Sequence, residues 1–430
     1  MLRNACSRRE IARENGDRFI CHTRAAMHMP YCGAPKFPVP QFTAPASTEL
    51  APGGVPNVAG GGRRHDEMST GIGLSSGVSF DGASDVGLTV QRLVEMASNT
   101  KEKIYHANGR FTRPDSTFRN FVSNQPGAQF PAEAGRYALY VSPGCPWAHR
   151  TLIVRLLKGL ESIIDVYQVH MTMGPEGWYF SGEGDSLPED PLHGFKTLRE
   201  LYLKADPNYS GRYTVPVLWD KKADVLVNNE SSEIIRMFYS EFDHLLPEPL
   251  REVNRPGDGL YPEALRSEID ELNDWVYNTV NNGVYKSGFA KSQESYNENV
   301  HALFQSLDRL EAKLQAHGKR FLLGDHITEV DVRLYTTLAR FDVAYFTVFM
   351  CNLKSIRHDY PALHLWLRRL YWDQDVDGAL RAAFYRTTQP YISQYALGYA
   401  HSRRKIVLGD ATPLVVPAGP AVLMEPLEGR

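Results

Sequence analysis

The chain has 430 residues, of which 43% are hydrophobic and 23% charged, enough for two or three domains that each bury a core. Its 47 basic and 50 acidic side chains give a formal net charge of −3 and no dominant basic patch, so nucleic acid is not expected as a partner. No run approaches the roughly 18 apolar residues of a spanning helix, so no membrane partner is expected either.

Residues 1–85 differ in texture from the rest of the chain. The stretch from Pro35 to Arg64 is rich in Pro, Gly, Ala and Ser and has no sustained period, which predicts disorder. Arg3, Arg8, Arg9, Arg13, Arg18 and Arg24 fit a targeting peptide, but Glu10, Glu14 and Asp17 interrupt them, and import signals avoid acids. The expected location is the cytoplasm, with mitochondrion or plastid as the alternative through this extension. The five cysteines (Cys6, Cys21, Cys32, Cys145 and Cys351) form neither a disulfide framework nor a zinc-ligand spacing. Free thiols in a reducing compartment are expected, with no metal site.

From Tyr137 the pattern is periodic. Tyr137–Val141 reads as a strand ending at Ser-Pro-Gly, and Pro146–Leu157 as a helix with Ala148, Leu152, Ile153 and Leu156 on one stripe, stopped by Gly159. Asp165–Met171 reads as a second strand, which completes a βαβ unit. After a long polar insertion, Thr214–Trp219 and Val225–Val227 form a strand pair leading to a helix over Ser231–Tyr239. A βαβ followed by ββα is the thioredoxin arrangement. Pro216 inside a strand fits either an edge strand or a cis bond.

Beyond the Pro- and Gly-rich stretch Pro247–Pro262 the chain reads as helical. Leu265, Ile269, Leu272 and Val276 mark one helix, and Val300, Leu303, Phe304, Leu307, Leu310 and Leu314 the next. A third opens at Thr328 with Asp331 three residues on, a capping-box spacing, and continues through Leu334, Leu338 and Phe341. Leu363–Tyr371 is a fourth, and together they predict a bundle.

The chemistry concentrates in Ser142-Pro-Gly-Cys-Pro-Trp-Ala-His-Arg150. Cys145 stands at the N-cap and Pro146 at the first helical position. Free backbone N–H groups and the helix dipole there favour a thiolate, the nucleophile of thiol chemistry. A structural cysteine that happens to precede proline is the bland alternative. A dithiol enzyme would carry a second cysteine at position 148, which is Ala148. A mixed disulfide on Cys145 must therefore be released by an external thiol such as glutathione. Asn229-Glu230-Ser231 lies where a strand meets a helix. Ser231 could hold a carboxylate at the helix N-terminus and Glu230 an ammonium, against the plain reading of both as caps.

These motifs, with Thr-Val-Pro-Val-Leu-Trp-Asp and Asn-Asn-Glu-Ser, resemble the glutathionyl-hydroquinone reductases, the Xi class of glutathione transferases. The match runs from about residue 100 to 372 and takes in Trp178, Asn282–Ala290, Asp331–Tyr335, Arg340–Asp342 and Cys351-Asn352. The resemblance implies an α/β thioredoxin-like N-terminal domain plus an all-α helical C-terminal domain, the glutathione transferase architecture. The divisions expected are an extension over 1–85, a glutathione-binding domain over 86–245, a linker over 246–261, a helical domain over 262–395 and a tail over 396–430.

The activity implied is reduction of a glutathionyl-hydroquinone through a Cys145–glutathione mixed disulfide, resolved by a second glutathione. Glutathione is then co-substrate, with no permanently bound cofactor. Carried over by motif, Trp178, Arg212, Tyr213, Thr214, Val215, Glu230 and Ser231 would hold glutathione. Tyr285 would donate a proton to the departing ring, and Tyr345 would help keep the thiolate. Tyr385 would stand in for a family tyrosine near the C-terminus, where Gly378–Tyr385 departs from the family's sequence. The partners implied are glutathione, aromatic glutathione conjugates and a second copy of the chain. Another glutathione-dependent thiol enzyme (a dehydroascorbate reductase or deglutathionylase) and a non-catalytic binding module on the same fold are the competing readings.

Overall fold

A computed structural model describes residues 109–372 and 382–409, together with residues 424, 425 and 427. The expectations for residues 1–85, for Gly378–Arg381 and for most of the tail beyond residue 409 lie outside the described residues. Four strands form one sheet in the order β2-β1-β3-β4. They are β1 (Tyr137–Val141), β2 (Ile164–Gln168), β3 (Val217–Asp220) and β4 (Val225–Asn228). β1 pairs with β2 in parallel, Tyr137 opposite Ile164, and with β3 in antiparallel, Tyr137 opposite Asp220. All five residues of β1 are buried, as its central place requires, and each large apolar side chain so enclosed contributes about 1.5–3 kcal/mol.

The β1–β2 crossover is α1 (Pro146–Leu157). Pro146 at its first position lacks only an N–H that would have no partner, and Gly159 at φ +68° turns the chain out of the helix. The Val215–Pro216 bond is cis, and β3 begins only after it, at Val217. This resolves the two readings of Pro216, and it explains why the strand is shorter than Thr214–Trp219. The polar insertion contains a helix the pattern did not reveal, α2 (Leu198–Ala205), opened by a Thr197–Glu200 capping box. α3 (Ser231–Ser240) follows β4 and packs against α1.

Short 3₁₀ turns between Asp243 and Leu265 lead to the helical half. Its elements are α4 (Arg266–Val276), α5 (Gly283–Gly288), α6 (Gln293–His317), α7 (Glu329–Leu338), α8 (Pro361–Trp372), α9 (Ala383–Thr388) and α10 (Tyr395–Arg403). The Thr328–Asp331 capping box forms as its spacing predicted. Asp331 also accepts from Leu322 N at 3.1 Å and from Trp366 Nε1 at 2.8 Å, so the cap ties α7 to α8. α7 ends at Leu338 rather than at Phe341, because the chain widens into a π-helical turn over Phe341–Tyr345. α1 packs against α7 and α9, so the helix that begins at Cys145 is the seam between the two halves. No helix among the described residues is long and apolar enough to cross a membrane.

Candidate active site around Cys145

Cys145 is the N-cap of α1, in extended conformation at φ −86° and ψ 119°, with no side-chain cap bond of its own. The sulfur is thus presented at the open end of the helix, where backbone N–H groups and the dipole favour negative charge. Its Sγ lies 3.4 Å from the Val215 carbonyl, the residue before the cis proline. Ser142 Oγ donates to His170 O at 3.0 Å and accepts from Gly144 N at 3.3 Å, which fixes the turn ahead of the thiol. Gly144 is required by close approach: a Cβ there would lie 2.4 Å from the Met171 carbonyl oxygen.

The thiol opens into a cavity of about 480 Å³. Trp178, Arg212, Tyr213, Thr214, Val215 and Tyr285 all line it. The loop 212–215 is held from behind, since Tyr209 Oη donates to Arg212 O at 3.0 Å and Tyr202 Oη to Thr214 O at 2.9 Å. Arg212 faces the same space as Cys145. Burial, then the neighbouring Arg113 guanidinium, pushes its pKa down to about 10, which marks a cation short of anionic partners.

The wall opposite the loop is aromatic. Tyr285 Oη lies 3.2 Å from Tyr399 Oη, which lies 2.7 Å from Tyr345 Oη. Tyr285 and Tyr399 line the cavity, whereas Tyr345 is fully buried behind them. Burial raises all three phenol pKa values, so they stand as neutral O–H donors at neutral pH. For Tyr285 the nearby Cys145 adds to the rise, while the bonds to Tyr399 and Tyr345 oppose it.

A second, polar cavity of about 860 Å³ shares Arg113, Arg212 and Thr214 with the first. Glu230 faces it as the N-cap of α3. Its Oε1 accepts from Ser232 N at 3.1 Å and Ser232 Oγ at 3.0 Å, and its Oε2 from Ser116 Oγ at 3.0 Å. Burial pushes the Glu230 carboxyl up, but these bonds and the Arg113 charge outweigh it, and the net shift is down. Glu230 is therefore both a cap and an anion turned toward a cavity.

The structure gathers Cys145, Trp178, Arg212, Tyr213, Thr214, Val215 and Tyr285 around one cavity and puts Glu230 on the adjoining one. Ser231 is buried at the first turn of α3 and lines neither. Tyr385 lies elsewhere: its ring packs on Tyr371 at 5.2 Å and on Trp372 at 5.7 Å. The third phenol comes instead from Tyr399, which the sequence reading missed. Its signal was present, because Tyr395, Tyr399, Ser402 and Ile406 recur at helical spacing on the cavity face of α10 and the turn after it. Arg113 was also missed. It comes from a segment before β1 with no period, and its guanidinium sits 4.3 Å over the Trp147 ring.

Two family models match the chain: "Glutathione S-transferase, N-terminal domain" over residues 144–241 and "Glutathione S-transferase, C-terminal domain" over residues 293–369. Glutathione S-transferase omega-like 2 of Schizosaccharomyces pombe is 51% identical over 307 residues, 71% of this chain and 93% of that protein. Glutathionyl-hydroquinone reductase YqjG of Escherichia coli is 51% identical over 269 residues, 61% of this chain and 79% of that protein. Its glutathione-bound structure matches at TM-score 0.63 and 44% identity, covering 72% of this chain and 95% of that one. The glutathione S-transferase Xi of Phanerochaete chrysosporium matches at TM-score 0.68 and 48% identity, covering 75% of this chain and 97% of that one.

Proposed function

The chain belongs to the Xi class of the glutathione transferase family, the family of the glutathionyl-hydroquinone reductases, and on that premise we propose that it reduces glutathionyl-hydroquinones through Cys145. The observation that carries the reading is a thiol at the N-cap position of a helix and two neutral phenols, Tyr285 and Tyr399, on the wall of the same cavity.

The Cys145 thiolate attacks the sulfur of the conjugate. An S–S bond forms to glutathione, and the bond from sulfur to the ring carbon breaks. The electron pair goes to the ring carbon, which takes a proton from the Tyr285 O–H and leaves as part of the free hydroquinone. Tyr399, beside Tyr285 on the wall, and Tyr345 behind them form the hydrogen-bond chain through which that proton is replaced. A second glutathione, as thiolate, then attacks the mixed disulfide, frees Cys145 and yields glutathione disulfide. The thiol proton it gives up restores the one consumed. The ring carbon is reduced and two glutathione sulfurs are oxidised to the disulfide. Ala148 leaves Cys145 without a resolving thiol three residues on, which fits release by an external one.

In this reading glutathione lies along the 212–215 loop beside Trp178 and reaches the second cavity with its γ-glutamyl end. Glu230, which faces that cavity, takes the ammonium. The phenols beside the thiol favour an aromatic leaving group over dehydroascorbate, which has no ring carbanion to protonate. Cytoplasmic location is proposed from the cysteine usage alone. A homodimer is proposed from family membership, and sedimentation at twice the chain mass is the result it expects. The activity is tested by supplying a glutathionyl-hydroquinone with glutathione. Equal yields of free hydroquinone and glutathione disulfide support the reading, and disulfide without hydroquinone would sink it.

A further inference from the structure

One buried side chain that takes no part in the steps above ties the whole thiol end together. Arg340 follows α7 and is wholly buried. Its Nη2 donates to the Pro143 carbonyl at 2.8 Å, two residues before Cys145. Its Nη1 donates to Nδ1 of His149 at 3.0 Å, four residues after Cys145, and to Thr336 O at 2.8 Å. One planar guanidinium from the helical half therefore holds the chain on both sides of the thiol. The same group lies 4.0 Å over the ring of Tyr395, which lines the cavity from α10. Its own carbonyl accepts from Ala344 N at 3.0 Å and Tyr345 N at 3.3 Å and so starts the turn that carries Tyr345.

The contact with His149 fixes a tautomer. A guanidinium only donates, so Nδ1 is the acceptor and the ring proton sits on Nε2. Nε2 then donates to Thr387 Oγ1 on α9 at 2.9 Å. Burial, and after it the Arg340 charge, holds His149 far below its ordinary pKa, so the ring stays neutral. Among the described residues the ionisable neighbours that act on Arg340 are tyrosines rather than carboxylates, and its Nε has no hydrogen-bond partner. A buried cation without a carboxylate is costly to a fold, and an apolar residue would pack there at less cost. What the cation does supply is two directional bonds flanking Cys145, which an apolar residue cannot make.

We propose that Arg340 is a positioning residue for the Cys145 nucleophile, acting through the Pro143 carbonyl and the His149 ring. The proposal rests on Cys145 being the nucleophile, and it concerns how the sulfur is aimed rather than which substrate it meets. Displacing a reacting atom by about 1 Å costs on the order of 10²-fold in rate.

The test measures the rate at which iodoacetamide alkylates Cys145 in the folded full chain, followed on the Cys145 peptide by mass spectrometry, beside kcat, the KM for glutathione and the melting curve. Arg340→Gln is expected to slow alkylation and to lower kcat, each by about 10²-fold, with the KM for glutathione within about 2-fold. Arg340→Lys should fall between, because an ammonium cannot serve Pro143 and His149 with the same planar fork. Thr387→Val, which removes the nearer acceptor of His149 Nε2 and a donor to Ala383 O and leaves Thr388 Oγ1 at 3.4 Å, should slow both rates by about 2- to 5-fold. A folded Arg340→Gln whose Cys145 is alkylated at the wild-type rate overturns the proposal. If Arg340→Gln does not fold, wild-type alkylation rates in both Arg340→Lys and Thr387→Val overturn it equally. Full hydroquinone release by Cys145→Ser would remove the nucleophile itself and so the premise, a result distinguishable from any behaviour of Arg340.

Discussion

The cavity has two ends made in different ways. At the thiol end, a strand, a turn and a helix within residues 137–157 place Cys145, and backbone groups do most of the electrostatic work. At the aromatic end, Tyr285 from α5, Tyr345 from the π-helical turn and Tyr399 from α10 meet across 114 residues of chain. Lys405, in the turn after α10, lines the same cavity, and its Nζ donates to Gly174 O at 2.6 Å. The first end draws its charge preference from a helix terminus. The second depends on three helical segments keeping register.

That contrast is broken most severely at the sulfur. Cys145→Ala should lower turnover of a glutathionyl-hydroquinone by more than about 10³-fold, because no other group in the cavity can form the disulfide. The assay is hydroquinone release followed by chromatography. Tyr285→Phe should cost about 10²-fold in kcat while leaving the rate at which glutathione disulfide modifies Cys145 within about 2-fold. Equal loss in both measurements would mean that the two ends are not separable.

Between these extremes stands the phenol chain. Tyr399→Phe should lower kcat by about 10-fold, whereas Tyr385→Phe should change it less than about 2-fold, since the Tyr385 ring packs on Tyr371 and Trp372. Removing the charge of Glu230 acts on binding instead: Glu230→Gln should raise the KM for glutathione about 10-fold with kcat little changed.

The smallest effects are those of pH. The Glu230 carboxyl is held below its ordinary 4.5, so its contribution is complete above that pH and is lost only as pH falls through the lowered folded value. The Tyr285 phenol is held above its ordinary 10.0, so its neutral form contributes fully below pH 10 and is lost as pH rises through the folded value. Glutathione binding and turnover should accordingly show no transition from Glu230 or Tyr285 between about pH 5 and pH 10. Titration of the KM across that range is the check.

The same contrast explains what could be read from the residues. Cys145, Pro146 and Ala148 are neighbours, and the strand and helix around them carry periods of two and 3.6, so this end was legible in the sequence itself. The 328–331 capping box was equally local. Tyr399 was not found, because the segment after Asp377 departs from the family pattern and Tyr385 was put in its place. The helical recurrence of Tyr395, Tyr399 and Ser402 would have shown which tyrosine faces inward. Arg113 carries no periodic signal at all, and its place over Trp147 is a product of tertiary packing. Helix α2 escaped for a physical reason as well: eight residues with only Leu198, Leu201 and Tyr202 buried give too short a stripe to stand out from a polar stretch.

The central claim is that the sulfur of Cys145 takes glutathione from the ring. A single-turnover experiment with a glutathionyl-hydroquinone and no added glutathione tests it most directly. One hydroquinone should be released per chain, and the Cys145 peptide should gain the mass of one glutathione in step with that release. Hydroquinone released while Cys145 stays unmodified would contradict the account.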